Sequence, residues 1–208
     1  IIESDIAFTS RFLATTSAGI SDPYLPTSNG GVWSYKGDSS TSRFLLLRTY
    51  STTNNPLGND RQPVFIGSGT ACDPANLYFN EVQRYNTIYF VKNGNLYRRK
   101  LVNTSTATCS VQYQKTSCPS AVDLGASQNA SCGADDELIL TNVSNFTVNY
   151  YASRTASTPV DAYQVGADSS LVTSATDAEI TLAVTKQVAG KSLTTQTILR
   201  ITKLNTDL

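Results

Sequence analysis

Histidine and methionine are both missing from this 208-residue chain. Without histidine there is no Ser-His-Asp triad and no Cys-His pair, which closes the common routes to an activated nucleophile. The commonest zinc ligand is missing as well. With no methionine even at position 1, the numbered chain is expected to be a processed or excised part of a longer protein. Charge is scarce: charged residues make up 15% of the chain, and 16 basic residues balance 16 acidic ones. That balance gives no overall field to draw in nucleic acid, so DNA is not an expected partner. No window of about 18 apolar residues occurs, so no helix within the numbered residues is expected to span a bilayer. No signal peptide is read within the numbered residues either. No two cysteines form a C-x-x-C pair, which excludes zinc-ribbon and thioredoxin-like motifs.

What is present is a hydroxyl-rich chain, with serine and threonine together about a quarter of it. Its length fits one domain with an ample core. Four cysteines, Cys72, Cys109, Cys118 and Cys132, point to disulfides and an oxidising compartment. Three pairings are possible. Cys109–Cys118 with Cys72–Cys132 is preferred, because Cys109 and Cys118 flank a short segment that can fold back on itself.

Residues 1–18 read as the one amphipathic helix. Ile2, Ile6 and Leu13 fall on one stripe, and Ile1, Phe8 and Phe12 on a second roughly 120° away. Two stripes suggest two partners, the protein's own sheet and a neighbouring molecule. Residues 19–42 read as a connecting loop pinned by Tyr24, Trp33 and Tyr35. The rest, residues 43–208, alternates short apolar or half-apolar runs with polar loops and reads as an antiparallel sheet. Its clearest signal is a hairpin in which Asn93-Gly94 supplies the two positive-φ positions of a type I′ turn. Strands are also expected over 43–50, 63–69, 137–143, 146–151, 178–185 and 193–202, with an isolated strand over 111–114. The expected fold class is therefore α+β: one N-terminal helix packed on an antiparallel sheet, with long disulfide-bearing loops, chiefly 103–135, which holds three of the four cysteines, and a further hydroxyl-rich loop at 152–176.

Candidate chemistry is thin. Asp135-Asp136-Glu137 could offer oxygen ligands to Ca²⁺ but lacks an EF-hand pattern, and reads more simply as a solvated turn. Arg98-Arg99-Lys100 splits across the two faces of a strand, which argues against a nucleic-acid patch. No carboxylate pair at catalytic spacing, phosphate loop or nucleophile elbow emerges, so a structural or binding role is expected, with no enzyme activity and no cofactor.

Four segments in this order resemble the minor pilins and pseudopilins of type IV pilus-like machines. They are the helix of residues 3–13, the hairpin of residues 88–99, the strands of residues 138–150, and the closing strands of residues 180–184 and 199–205. The resemblance implies a pilin-like fold and a non-enzymatic subunit that assembles in, or primes, a filament serving adhesion, motility, DNA uptake or secretion. It implies other pilin-like subunits as partners, a host-surface target as a further one, and a cell-surface location. It also implies a membrane helix ahead of residue 1 that holds the subunit before assembly. Ile1, Ile2, Ile6, Phe8, Phe12 and Leu13 would be its assembly residues. The competing expectation is a secreted or surface adhesin or carbohydrate-binding β-domain.

Overall fold

A computed structural model describes residues 1–18, 20–25, 32–52, 63–66, 81–103, 114–164 and 166–204. Helix α1 spans Ile2–Ala7 and runs into strand β1, Thr9–Phe12. After the loop come β2 (Leu45–Tyr50), β3 (Phe65–Ile66), β4 (Glu81–Val82), β5 (Arg84–Lys92) and β6 (Asn95–Leu101). Then follow β7 (Ser117–Cys118), α2 (Ala121–Leu124), β8 (Ala134–Asp135), β9 (Glu137–Leu140) and β10 (Val143–Tyr151). Helix α3 (Ser170–Ser174) and the long hairpin of β11 (Asp177–Val188) and β12 (Lys191–Thr202) close the chain.

The expected α+β arrangement does not form. The described chain is mostly β, and its N-terminal helix is six residues long instead of a single element over residues 1–18. Local chemistry explains where the helix stops. The Thr9 hydroxyl donates to Arg48 O at 2.9 Å and Ser10 to the same carbonyl at 2.9 Å. Such side chains compete with helical hydrogen bonding, and Thr is β-branched as well. Thr9, Arg11 and Phe12 then pair antiparallel with Thr49, Arg48 and Leu47 across a bulge. Phe12 and Leu13 are apolar neighbours that a helix would set about 100° apart. The extended chain sends them to opposite faces of the sheet, where each joins a different cluster.

A five-stranded sheet in the order β1-β2-β5-β6-β9 packs against a three-stranded sheet in the order β10-β11-β12. The main core lies between them and holds Ile6, Phe12, Leu45, Leu47, Tyr89, Phe146, Val148, Tyr150, Ile180 and Ile201. Phe12 meets Tyr150 edge-on at 5.3 Å. A second cluster on the outer face of the five-stranded sheet joins Leu13, Leu46, Ile88, Phe90 and Leu101 to Trp33 and Phe44 from the loop. The sheet is thus buried on both faces, which accounts for the unbroken Leu45-Leu46-Leu47 run. The loop is pinned by aromatics as expected, with Trp33 and Tyr35 both buried. The β5–β6 hairpin turns as the sequence requires, with Asn93 at φ 52° and Gly94 at φ 72°. The expected strand over 111–114 falls almost wholly outside the described residues.

Candidate functional site

Strand β6 carries adjacent arginines whose side chains leave on opposite faces, and each meets its own carboxylates. Arg98 pairs with Asp5 at 3.0 Å and also with Glu137. Asp5 additionally accepts a hydrogen bond from Tyr89 OH at 2.6 Å. On the other face Arg99 holds Asp22 at 2.8 Å and Asp136 in a bidentate grip, its Nε donating to Oδ1 at 3.0 Å. Trp33 Nε1 donates to the same Asp22 oxygen, and the Arg99 guanidinium lies over the Trp33 and Phe90 rings. Both arginines, Asp5, Asp22 and Asp136 are nearly or fully buried. Despite burial, the surrounding carboxylates hold both guanidiniums above their ordinary pKa. Burial pushes the Tyr89 phenol upward, and the Asp5 charge adds to that rise. The suggested Ca²⁺ donors are therefore engaged elsewhere: Asp136 and Glu137 by the arginines, and Asp135 by Gln128. Among the described residues no group of three or more carboxylates or cysteines is placed to hold a metal.

The six expected assembly residues divide in a new way. Ile6 and Phe12 are fully buried, Leu13 is nearly so, and Ile2 packs against the main core. Ile1 is 50% exposed and Phe8 39%. The first stripe does not survive as one side: Ile6 is buried in the main core with Ile2 packed partly against it, while Leu13 is buried in the cluster on the other face of the sheet. The second stripe loses Phe12, because the change to strand at Thr9 turns that ring inward. The Asp5–Arg98 pair and the Leu204 N–H donating to Ala7 O at 3.3 Å fix α1 in place.

The disulfide pairing differs from the preferred one: Cys118 joins Cys132. The cause is local. Strands β7 and β8 pair in parallel, Ser117 with Ala134 and Cys118 with Asp135, so the chain loops back through α2 and returns Cys132 beside Cys118. Cys72 and Cys109 lie outside the described residues.

A cleft of about 410 Å³ opens beside Arg99, with Tyr24, Leu25, Trp33, Phe44 and Phe90 among its walls and Lys92 at its rim. Phe90 and Tyr97 stack at 5.8 Å along its extension. Sequence reading gave Tyr24 and Trp33 as anchors of the connecting loop, and Trp33 is buried, as are Phe44 and Phe90 beside it. It missed the carboxylates that meet the arginines, because Asp5 and Asp22 lie 93 and 77 residues from their partners. The split of Arg98 and Arg99 across β6 was the available signal.

The hairpin of β11 and β12 extends past the core. Residues 191–199 are exposed on both faces, with Leu193 62% and Ile198 59% exposed. No family model matches the chain, and no curated protein and no solved structure is detectably similar to it.

Proposed function

We propose that this domain is a non-enzymatic subunit of a cell-surface assembly of the type IV pilus kind, working through contact with other subunits. The observation that carries the reading is the two-sided N-terminal segment. Its inner side is fixed by Ile6 and the Asp5–Arg98 pair, while Ile1 and Phe8 face outward. A rigidly held segment with outward apolar side chains suits packing against neighbouring subunits, where burial is the main driving force. Completing the burial of two such side chains contributes roughly 1–3 kcal/mol each. Partners are other pilin-like subunits, and the location is extracellular. The test replaces Phe8 by Asp in the full-length protein of the parent cell. Filament number, surface attachment, DNA uptake and secretion are then compared with the wild type and with a gene deletion. Loss of one of these, with the variant still folded, supports the reading. A deletion that leaves all four unchanged overturns it.

A second reading, a surface domain that binds carbohydrate, is favoured by the cleft beside Arg99. Its aromatic walls and mixed polar rim suit a sugar ring. Titration of soluble glycans against Trp33 fluorescence tests it, since Trp33 is the one tryptophan and lines the cleft. A flat signal across the glycans overturns it.

A further inference from the structure

Among the described residues strand β12 is an edge left open, and we propose that two copies of this chain pair through it, antiparallel, across a two-fold axis at Gln196. The other edges of the two large sheets are handled differently. Strands β1 and β9 are four residues long, and their pairings with β2 and β6 carry register shifts. The outer edge of β10 is covered, with Arg43 N–H donating to Phe146 O, Phe146 N–H to Thr41 O, and Val160 N–H to Tyr150 O. Strand β12 runs twelve residues in unbroken register with β11, with neither bulge nor proline. Short edges, bulges, proline, charge and covering loops are the usual means of blocking edge-to-edge pairing. Between Ser192 and Leu199, β12 has none of them among the described residues.

The backbone geometry identifies the groups on offer. Ala189 and Gly190, both at positive φ, form a two-residue turn, so Val188 and Lys191 exchange the closing hydrogen bonds. From there odd-numbered residues of β12 bond inward to β11, a phase confirmed where Lys203 N–H donates to Thr176 O at 3.0 Å. Even-numbered residues point their N–H and C=O groups outward. Leu204 is one of these, and its N–H is taken by Ala7 O. Helix α1 thus covers the C-terminal end of the edge, leaving the outward groups of Ser192, Thr194, Gln196, Ile198 and Arg200.

These groups are complementary to themselves. With Gln196 on the axis, Thr194 lies opposite Ile198, Ser192 opposite Arg200, and, on the other face, Leu193 opposite Leu199. Antiparallel partners that face each other this way share a face, so the exposed Leu193 and Leu199 meet and leave water together. The stretch from Ser192 to Leu199 carries no charge, so no like charges meet in the middle. The flanking cations also keep apart. Lys191 and Arg200 sit on opposite faces, and Arg200 is drawn back over the Tyr151 ring at 3.6 Å by the Ser153 and Ala156 carbonyls. Because both faces of the strand project clear of the core, nothing in the described fold obstructs approach from either side. The product is a continuous six-stranded sheet.

The test needs no ligand and uses the 208-residue chain itself: its mass is measured by light scattering and by analytical ultracentrifugation across a wide concentration range. The expected result is a concentration-dependent dimer. Gln196→Lys, which sets like charges opposite each other on the axis, raises the dissociation constant roughly tenfold or more, with an unchanged far-ultraviolet spectrum. Gln196→Glu does the same, and an equal mixture of the two variants recovers the dimer. Phe8→Asp leaves the dimer intact, which separates this pairing from the assembly role proposed for the N-terminal segment. A wild-type chain that stays monomeric throughout overturns the proposal. So does a dimer indifferent to Gln196→Lys, or a mixture that fails to recover.

Discussion

The Arg98 and Asp5 side chains carry the sharpest residue-level consequence. Removing Asp5 leaves the buried Arg98 only the partly exposed Glu137, and breaking such a buried pair costs up to about 3–5 kcal/mol. Asp5→Ala is therefore expected to lower the urea midpoint steeply, and the double variant Asp5→Ala/Arg98→Met to recover much of the loss. Equal loss in the single and double variants would show that the pair contributes nothing beyond packing. Gly37 is the second sensitive position. Its φ of +64° is strained for any side chain, and an added Cβ would lie 2.6 Å from Arg43 Cα. Gly37→Ala is expected to cost at least about 1–3 kcal/mol in the same measurement. A midpoint equal to wild type would contradict this. The splitting of Arg98 from Arg99 could be read from strand alternation alone. Their acidic partners could not, because pairing across such sequence separations is created by the fold and leaves no periodic trace.

At the level of elements, the long strands were legible, whereas the helix and the short strands β1, β4, β7 and β8 were not. Alternation in β10 and β11, the leucine run of β2 and the Asn-Gly turn are local signals, and each strand formed where its signal lay. Residues 1–18 carried a helical period by coincidence of spacing: Ile2 and Ile6 use it, whereas Phe12 and Leu13 are sorted by a strand. What decided between them was tertiary pairing with β2, together with the Thr9 and Ser10 hydroxyls, and pairing of that kind overrides a weak local preference. The cysteine pairing failed for a related reason. Proximity in sequence favoured Cys109–Cys118, but the parallel β7–β8 contact brings Cys132 to Cys118. The Cys118–Cys132 bond closes a loop with a sequence separation of 14. Removing it by Cys118→Ala/Cys132→Ala is expected to cost roughly 2–4 kcal/mol in denaturant unfolding. A variant as stable as the parent would indicate that β7 and β8 hold the loop unaided.

Across the whole molecule, the buried phenols make stability depend on pH at the alkaline end. Burial raises Tyr85, Tyr89, Tyr150 and Tyr163 above the ordinary value near 10. Above that pH the unfolded chain releases these protons while the folded chain keeps them, so the unfolded state binds fewer and stability falls as pH rises. Lys100 acts in the opposite direction, because burial lowers its pKa, and as pH rises the folded chain sheds this proton while the unfolded chain still holds it. Four phenols outweigh one amine. The expected outcome is that the phenols' contribution to stability is fully present below about pH 10 and lost cooperatively above it. Tyrosinate absorbance should then rise in step with the loss of far-ultraviolet signal. Phenols that titrate freely in a still-folded protein would refute this.

The two charge clusters on β6 also impose an order in time. Asp5 and Asp22 are made early in synthesis, the arginines near the middle, and Asp136 and Glu137 later still. A chain emerging from its N-terminus, at a ribosome or through an export channel, therefore holds Arg98 and Arg99 with only one of their two carboxylates each until residue 137 has cleared the exit. Both faces of β6 receive their last carboxylates together, from the adjacent Asp136 and Glu137.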